Sequence, residues 1–182
     1  MIPKEKYFFI DNIQNLDLEY IKKTKANLIL KTSVIKKNDH FYKFINKCKN
    51  NFISIFVAND TNLLHKIRSN NFYVSSFNKK KYFYLRRHNP QIKIIGSAHN
   101  LKEINEKFNQ GCDKVVFSRL FKTYKNGFYD VVKFNLITHN YRGKVVALGG
   151  INTLNHKKLQ MVNCVGFALL KELRKKPSFL IR

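Results

Sequence analysis

Two adjacent glycines, Gly149 and Gly150, follow a strand-like apolar run and are the residues of this chain best placed to do chemistry. The run Val145–Leu148 ends on them, and a helix-like segment, 153–161, comes next. Because glycine has no side chain, such a pair lets backbone N–H groups close on a ligand, and barrel proteins often bind phosphate after their last strands. A tight strand-to-helix turn without a ligand would need the same two residues. The pair alone therefore predicts either a phosphate site or a plain turn.

A lone carboxylate, Asp60, follows Asn59 at the end of the apolar run 53–58. It is the only acidic residue between Asp39 and Glu103, although basic residues have accumulated along the whole chain. A carboxylate at a strand end suits Mg²⁺, which binds one or two carboxylates together with substrate phosphates and water. Asn59 or Asp60 could instead cap the helix that follows.

Hydroxyl and basic side chains follow the fifth and sixth apolar runs. Ser97 and His99 come after the fifth, where both could reach a ligand, although His99 could equally pack at a helix start. Thr123 and Lys125 come after the sixth and combine a hydrogen-bond donor with a point charge, which suits phosphate. In a chain so rich in lysine, neighbouring lysines identify no site by themselves.

Eight apolar runs alternate with amphipathic segments, and these elements must position the polar residues. The predicted strands are 7–10, 28–32, 53–58, 72–75, 92–95, 114–117, 145–148 and 165–169. The predicted helices are 18–25, 40–49, 61–69, 79–87, 101–109, 128–138 and 154–161. Strict alternation predicts a parallel sheet, and eight units favour a compact (β/α)8 barrel over an open doubly wound sheet. In a barrel, the active site lies on the loops after the strands.

The segment Leu101–Asn109 has the clearest helix boundaries. Asn100 and Glu103 form a capping box at its start, and Gly111 stands where the helix should stop. All seven glycines fall after residue 95, which concentrates close backbone approach in the last four strands. Barrel phosphate sites usually form in that part of the fold.

Composition predicts a single domain over residues 1–182 in a reducing cytoplasm. No run approaches the roughly 18 apolar residues that a membrane span needs, and residues 1–12 do not resemble a signal peptide. Cys48, Cys112 and Cys164 are odd in number and far apart, which argues against disulfides and zinc.

The formal charge of +24 raises the question of a nucleic-acid partner. The lysines are spread along the chain, and Lys, Asn, Ile, Phe and Tyr are abundant together, as AT-rich coding favours. We interpret most of the charge as solvated surface and do not expect nucleic acid to bind. A positive field would still attract anionic substrates, phosphates above all.

Five short motifs occur in order along nearly the whole chain. They are Asn59-Asp60, Ser97-Ala98-His99, Gly111-Cys112-Asp113 with Phe121-x-Thr123, Gly149-Gly150-Ile151 and Gly166-Phe167-Ala168. In this order and spacing the chain resembles the thiamine phosphate synthase/TenI family.

The resemblance implies a (β/α)8 barrel with small phosphorylated substrates. The synthases join hydroxymethylpyrimidine diphosphate to thiazole phosphate with Mg²⁺, and they release thiamine phosphate and pyrophosphate. The diphosphate leaves first, and the thiazole nitrogen captures the resulting cation, so no protein nucleophile is needed. Some TenI-like members isomerise the thiazole phosphate instead. The chain could also form a homodimer.

The resemblance assigns roles to individual residues. Asn59 and Lys125 would contact pyrophosphate, and Ser97 would lie beside the pyrimidine and its diphosphate, so these three are the expected catalytic residues. Asp60 would hold Mg²⁺, with Asn78 at the second metal position. The expected substrate-binding residues are Lys31, Ser97, Thr123, Gly149, Gly150, Gly166 and Lys171.

Four positions depart from the family pattern, mainly where the diphosphate and metal would bind. Lys31 stands for an arginine, Ser33 for a lysine, Asn78 for a carboxylate and Lys171 for a serine. Loss of the arginine fork weakens diphosphate recognition, and loss of a carboxylate weakens a Mg²⁺ site.

Three functions remain open at this point. A divergent synthase is supported by Asn59, Asp60 and Lys125. A TenI-like protein, either a thiazole phosphate isomerase or a non-catalytic binder of thiazole or thiamine phosphate, is supported by the substitutions, with His99 or Arg119 as acid–base candidates. A nucleic-acid-binding barrel has no RNA-binding signature or basic helix stripe in its favour.

Overall fold

The computed structural model of the protein is a closed barrel of eight parallel strands. The strands pair in chain order, and the eighth strand pairs with the first. This architecture confirms the predicted (β/α)8 fold. The structure describes residues 5–33, 35–124, 126–170 and 180. The strands are β1 (Glu5–Ile10), β2 (Asn27–Leu30), β3 (Ile55–Ala58), β4 (Asn71–Val74), β5 (Lys93–Ala98), β6 (Lys114–Ser118), β7 (Val145–Leu148) and β8 (Gly166–Leu169).

Helices surround the barrel and connect its strands. They are α1 (Leu18–Thr24), α2 (Asp39–Asn50), α3 (Thr61–Lys66), α4 (Tyr84–His88), α5 (Leu101–Asn109) and α6 (Asp130–Thr138), with 3₁₀ helices at His139–Tyr141 and His156–Met161. No helix among the described residues is long and apolar enough to cross a membrane.

Two helix predictions were wrong in extent or type. The predicted helix 79–87 begins only at Tyr84, because the Tyr82 N–H donates to the Gln110 carbonyl at 2.9 Å and the Tyr82 ring packs on Phe72. The predicted helix 154–161 is instead a short 3₁₀ helix from His156. The Asn155 side-chain amide makes no hydrogen bond within the helix. It donates to the backbone of the preceding turn.

Both faces of the strands are buried, as parallel strands in a barrel require. One set of side chains fills the barrel interior, and it includes aromatic pairs between strands that are not neighbours, such as Phe9 of β1 with Tyr73 of β4 at a centroid distance of 5.4 Å. The alternate set packs outward against the helices. The apolar runs form strands as predicted, because the barrel interior buries one face of each strand and the helices bury the other.

Three helices end in the same hydrogen-bonded turn around a left-handed residue. After α5 that residue is Gly111 (φ 95°), whereas after α2 it is Phe52 (φ 55°) and after α3 it is Arg68 (φ 48°). In each turn the N–H of this residue and the next N–H donate to carbonyls of the last helical turn at 2.9–3.1 Å. Glycine usually occupies this position because side chains disfavour positive φ. The first half of the chain ends its helices without it.

Candidate active site

A cavity of about 900 Å³ opens at the carboxyl ends of the strands, where barrel enzymes place their active sites. Every strand or the loop after it contributes to the lining. The lining residues are Phe9, Lys31, Thr32, Ser33, Lys37, Ala58, Asn59, Asp60, Thr61, Asn62, Tyr73, Ser75, Ser76, Phe77, Ser97, His99, Ser118, Leu148 and Leu170. Of the residues predicted from sequence, the cavity brings together Lys31, Asn59, Asp60, Ser97 and His99.

The inner part of the cavity is formed by Tyr73 of β4 and Ser97 of β5. Both residues line the cavity, and the Tyr73 ring packs edge-on against Phe9. Burial raises the pKa of Tyr73 well above its ordinary value, so this phenol stays neutral. Ser97 presents its hydroxyl from the neighbouring strand.

Two lysines supply the positive charge of the cavity, and both come from the loop after β2. Lys31 directly follows the strand, and its ammonium lies 5.9 Å from the centre of the Phe9 ring. Lys37 lies farther along the loop and pairs with Asp60. The resemblance to the family indicated that Ser33 replaces a lysine in this loop. Lys37 supplies a cation to the same cavity. Because the loop contains several lysines, the sequence did not single out Lys37.

Asp60 uses both carboxylate oxygens within the protein. One accepts from the Leu63 N–H at 2.8 Å as the N-cap of α3, and the other accepts from the Lys37 ammonium. Partial burial acts to raise the pKa of Asp60, but these hydrogen bonds and the charge of Lys37 outweigh it and lower the pKa. The helix-cap alternative is thus realised, together with an ion pair.

The residues expected to hold Mg²⁺ have protein partners in the structure. The Asp60 oxygens are engaged, and Asn78 is not among the residues that line the cavity. The Asn78 carboxamide oxygen accepts from the Lys80 N–H at 3.0 Å. Within the described parts of the chain, no group of three His, Cys, Asp or Glu side chains could hold a metal ion.

Asn59 joins the loops after β3 and β4 through its side chain. Its amide nitrogen donates to the Ser75 hydroxyl at 2.6 Å, and its amide oxygen accepts from the Ser75 N–H and from the Asn78 amide, both at 3.0 Å. Asn78 also donates to the Tyr82 hydroxyl at 2.7 Å. Asn59 and Asn78 were predicted to contact pyrophosphate and metal. In the structure they shape the rim of the cavity.

A buried lysine, Lys107 of α5, holds the loop after β4 from behind. Its side chain is 0% exposed, and its ammonium donates to the carbonyls of Ser75 and Asn78 and to the side-chain oxygen of Gln110, at 2.7–2.9 Å. Its stem crosses Gly96, where a Cβ would come within 2.8 Å of it. Burial lowers the pKa of Lys107. We did not predict this role from the sequence.

His99 lies at the cavity with a carboxylate beside it. Its Nδ1 atom is 3.1 Å from a Glu103 oxygen, which also accepts from the His99 N–H at 2.9 Å. Asn100 is the N-cap of α5 as predicted, because its side-chain oxygen accepts from the Glu103 N–H at 2.9 Å. The Glu103 carboxylate returns to the Asn100 side-chain amide at 2.9 Å rather than to its backbone N–H, so only half of the predicted capping box is formed. Glu103 also orients the His99 ring.

The Gly149–Gly150 turn packs against the loop after β6. Both residues have positive φ (104° and 69°), and a Cβ on Gly150 would come within 2.5 Å of the Lys122 carbonyl oxygen. Tight packing therefore accounts for both glycines. Their carbonyls accept from the Phe121 N–H and the Asn155 amide, whereas their N–H groups have no acceptor among the described residues. The N–H groups of Gly149 and Gly150 therefore stay available as donors for the predicted phosphate site.

Four other predicted binding residues lie elsewhere or outside the described residues. Gly166 was wrongly placed at the cavity, because it begins β8 and pairs with Glu5 at the amino end of the barrel. A Cβ there would come within 2.5 Å of the Glu5 carbonyl oxygen, which explains the glycine. Thr123 follows β6 but is not among the cavity residues. Lys125 and Lys171 lie outside the described residues.

Comparison with known proteins identifies relatives by structure. No family model matches the chain, and no curated protein matches it in sequence. Thiamine phosphate pyrophosphorylase from Pyrococcus furiosus is similar with a TM-score of 0.71 at 15% identity, over 97% of this chain and 95% of that one. The pyrophosphorylase from Bacteroides thetaiotaomicron gives a TM-score of 0.64 at 16% identity, over 96% and 86%.

Barrels of other activities are also similar to the chain. An HpcH/HpaI aldolase from Desulfitobacterium hafniense gives a TM-score of 0.64 at 10% identity, over 94% of this chain and 88% of that one. At such identities the comparisons establish the fold. The resemblance to thiamine phosphate synthases that the sequence motifs indicate is therefore matched by a common barrel fold that extends over nearly the whole chain.

Proposed function

We propose that the chain is a divergent thiamine phosphate synthase that joins hydroxymethylpyrimidine diphosphate to thiazole phosphate. The observation that carries the proposal is the placement of Lys31 and Lys37 in one cavity with Ser97, at the mouth of a barrel shared with thiamine phosphate pyrophosphorylases. The second lysine offsets the loss of the family lysine at Ser33. Two cations and a hydroxyl in one cavity suit a diphosphate.

The reaction asks the protein for charge and position. The bond between the pyrimidine methylene carbon and the diphosphate oxygen breaks, and its electron pair leaves with pyrophosphate. The thiazole nitrogen then forms the new carbon–nitrogen bond with its lone pair. The ammonium groups of Lys31 and Lys37 would stabilise the charge that develops on the leaving pyrophosphate. Ser97 would donate a hydrogen bond from β5, where it lines the cavity.

The test is product formation by the purified chain. With both substrates, mass spectrometry should detect thiamine phosphate and an equal amount of pyrophosphate. Lys31→Ala and Lys37→Ala should each lower kcat/KM by about tenfold or more, as expected for loss of a charged contact to a phosphate. Lys36→Ala is the matched control, because Lys36 is exposed and is not among the cavity residues. No product, with or without Mg²⁺, would refute the proposal.

A TenI-like activity is the second candidate, and the His99–Glu103 pair favours it. An imidazole with a carboxylate at Nδ1 can move a proton at its other nitrogen, which an isomerase requires and the synthase reaction does not. Thiazole phosphate alone, without a diphosphate, should then be isomerised, and His99→Asn should abolish that conversion. If thiazole or thiamine phosphate binds without any conversion, the chain is a binder.

The expected homodimer stays a prediction that light scattering can test.

A further inference from the structure

The carboxylate that should receive a metal ion already has a cation of the protein beside it. Asp60 is the only Asp or Glu among the cavity-lining residues, and its oxygens accept from the Leu63 N–H and the Lys37 ammonium. The other expected metal position, Asn78, gives its amide nitrogen to Asn59 and Tyr82. Both expected metal positions are thus held by partners from the protein itself.

Lys37 remains able to bind an anion while it is paired. A lysine ammonium has three N–H donors, and Asp60 takes one of them. The Lys37 side chain is 38% exposed and lines the cavity, so its other donors can reach a ligand there. Lys31 adds a second ammonium from the same loop. The cavity therefore has two cations against one carboxylate, an excess of positive charge that suits an anionic group.

We infer that Lys37 takes the place of the divalent cation in this cavity, so that the site binds a diphosphate group without metal. The identification of the ligand as a diphosphate rests on the proposed function, whereas the independence from metal rests on the Lys37–Asp60 pair. Asp60 serves in this arrangement to position the ammonium. Lys37 is then the residue that bridges the protein and the anion.

Calorimetric titration with inorganic pyrophosphate tests the inference. In EDTA the wild-type chain should bind pyrophosphate, and excess Mg²⁺, which itself complexes pyrophosphate in solution, should not lower Kd. Lys37→Ala should raise Kd in EDTA by about tenfold or more, which corresponds to about 1.4 kcal/mol. The neighbouring substitution Lys36→Ala removes the same charge outside the cavity and should change Kd by less than about twofold. Thermal unfolding of each variant verifies that it is folded.

Binding that requires Mg²⁺, or that Lys37→Ala leaves unchanged, would overturn the inference. The absence of pyrophosphate binding under both conditions would overturn it too. The outcome is separable from that of the proposed function. Metal-free binding of pyrophosphate with no thiamine phosphate formed would sustain the inference and reject the synthase. Product formed only with Mg²⁺ would sustain the synthase and reject the inference.

Discussion

Replacement of the buried lysine is the most direct test of how the cavity rim is supported. Lys107→Met keeps the apolar stem and removes the ammonium. The Gln110 side-chain oxygen then loses this donor, whereas the Ser75 carbonyl keeps the Asn78 N–H and the Asn78 carbonyl keeps the Gln110 amide, both at 3.0 Å. A buried acceptor left without a donor costs about 1–3 kcal/mol. Because the ammonium no longer has to be desolvated, part of this cost is returned, and we expect a net loss of about 1–2 kcal/mol.

Urea unfolding followed by circular dichroism measures this loss. Lys102→Met is the matched control, because Lys102 is an exposed residue of the same helix, and its replacement should change the free energy of unfolding by less than about 0.5 kcal/mol. The difference between the two variants isolates the buried ammonium from the effect of the substitution type. If Lys107→Met unfolds within about 0.5 kcal/mol of the wild type, the ammonium gives no net support and the reasoning fails.

A second measurement separates support of the rim from general stability. Lys107 bonds to the loop that carries Ser75 and Asn78, and both contact the Asn59 side chain. Under conditions where the variant is fully folded, Lys107→Met should therefore weaken pyrophosphate binding by about threefold or more. An unchanged Kd would show that the lysine supports the barrel without acting on the cavity.

Three further substitutions give distinct outcomes. Although partial burial opposes it, the Lys37 pair and the helix cap lower the pKa of Asp60. Between the pKa of Asp60 in the folded chain and its higher pKa in the unfolded chain, the unfolded chain binds more protons. The wild type should therefore be more stable than Asp60→Asn at neutral pH, and this advantage should vanish as pH falls through the folded pKa. Urea unfolding at stepped pH measures it. Gly150→Ala should cost at least about 2 kcal/mol more than Gly143→Ala, because both have positive φ and only Gly150 also has backbone within 2.5 Å of its Cβ position. Phe52→Gly should raise the free energy of unfolding by about 1 kcal/mol, and with it the melting temperature, because it relieves a positive φ at a residue that is 93% exposed.

The barrel was predictable because its signals are local and repeated. Leu101–Asn109 has the predicted bounds, since its N-cap and terminal glycine specify both ends. The strands agree to within about three residues at each end, because each buries both faces and appears as a continuous apolar run. Order and alternation then determine the fold, and no residue-level detail is needed.

The site was less predictable because its contacts join loops that are distant in sequence. Lys37 reaches Asp60 across 23 positions, and Lys107 reaches Ser75 across 32. No periodic pattern marks such pairs; the only trace of Lys107 is its place three residues after the buried Ile104. Gly166 failed for a different reason, since a glycine alone does not reveal which end of its strand faces the ligand.

The left-handed residues that end α2 and α3 affect how related sequences should be interpreted. Where a residue other than glycine takes this position, as at Phe52 and Arg68, a search for glycine would run past the true end of the helix. The hydrogen bonds of the turn persist with any side chain that tolerates positive φ, and an apolar residue such as Ile53 can still mark the point where the chain returns to the barrel. The end of α2 is therefore better located by this returning apolar residue than by a glycine.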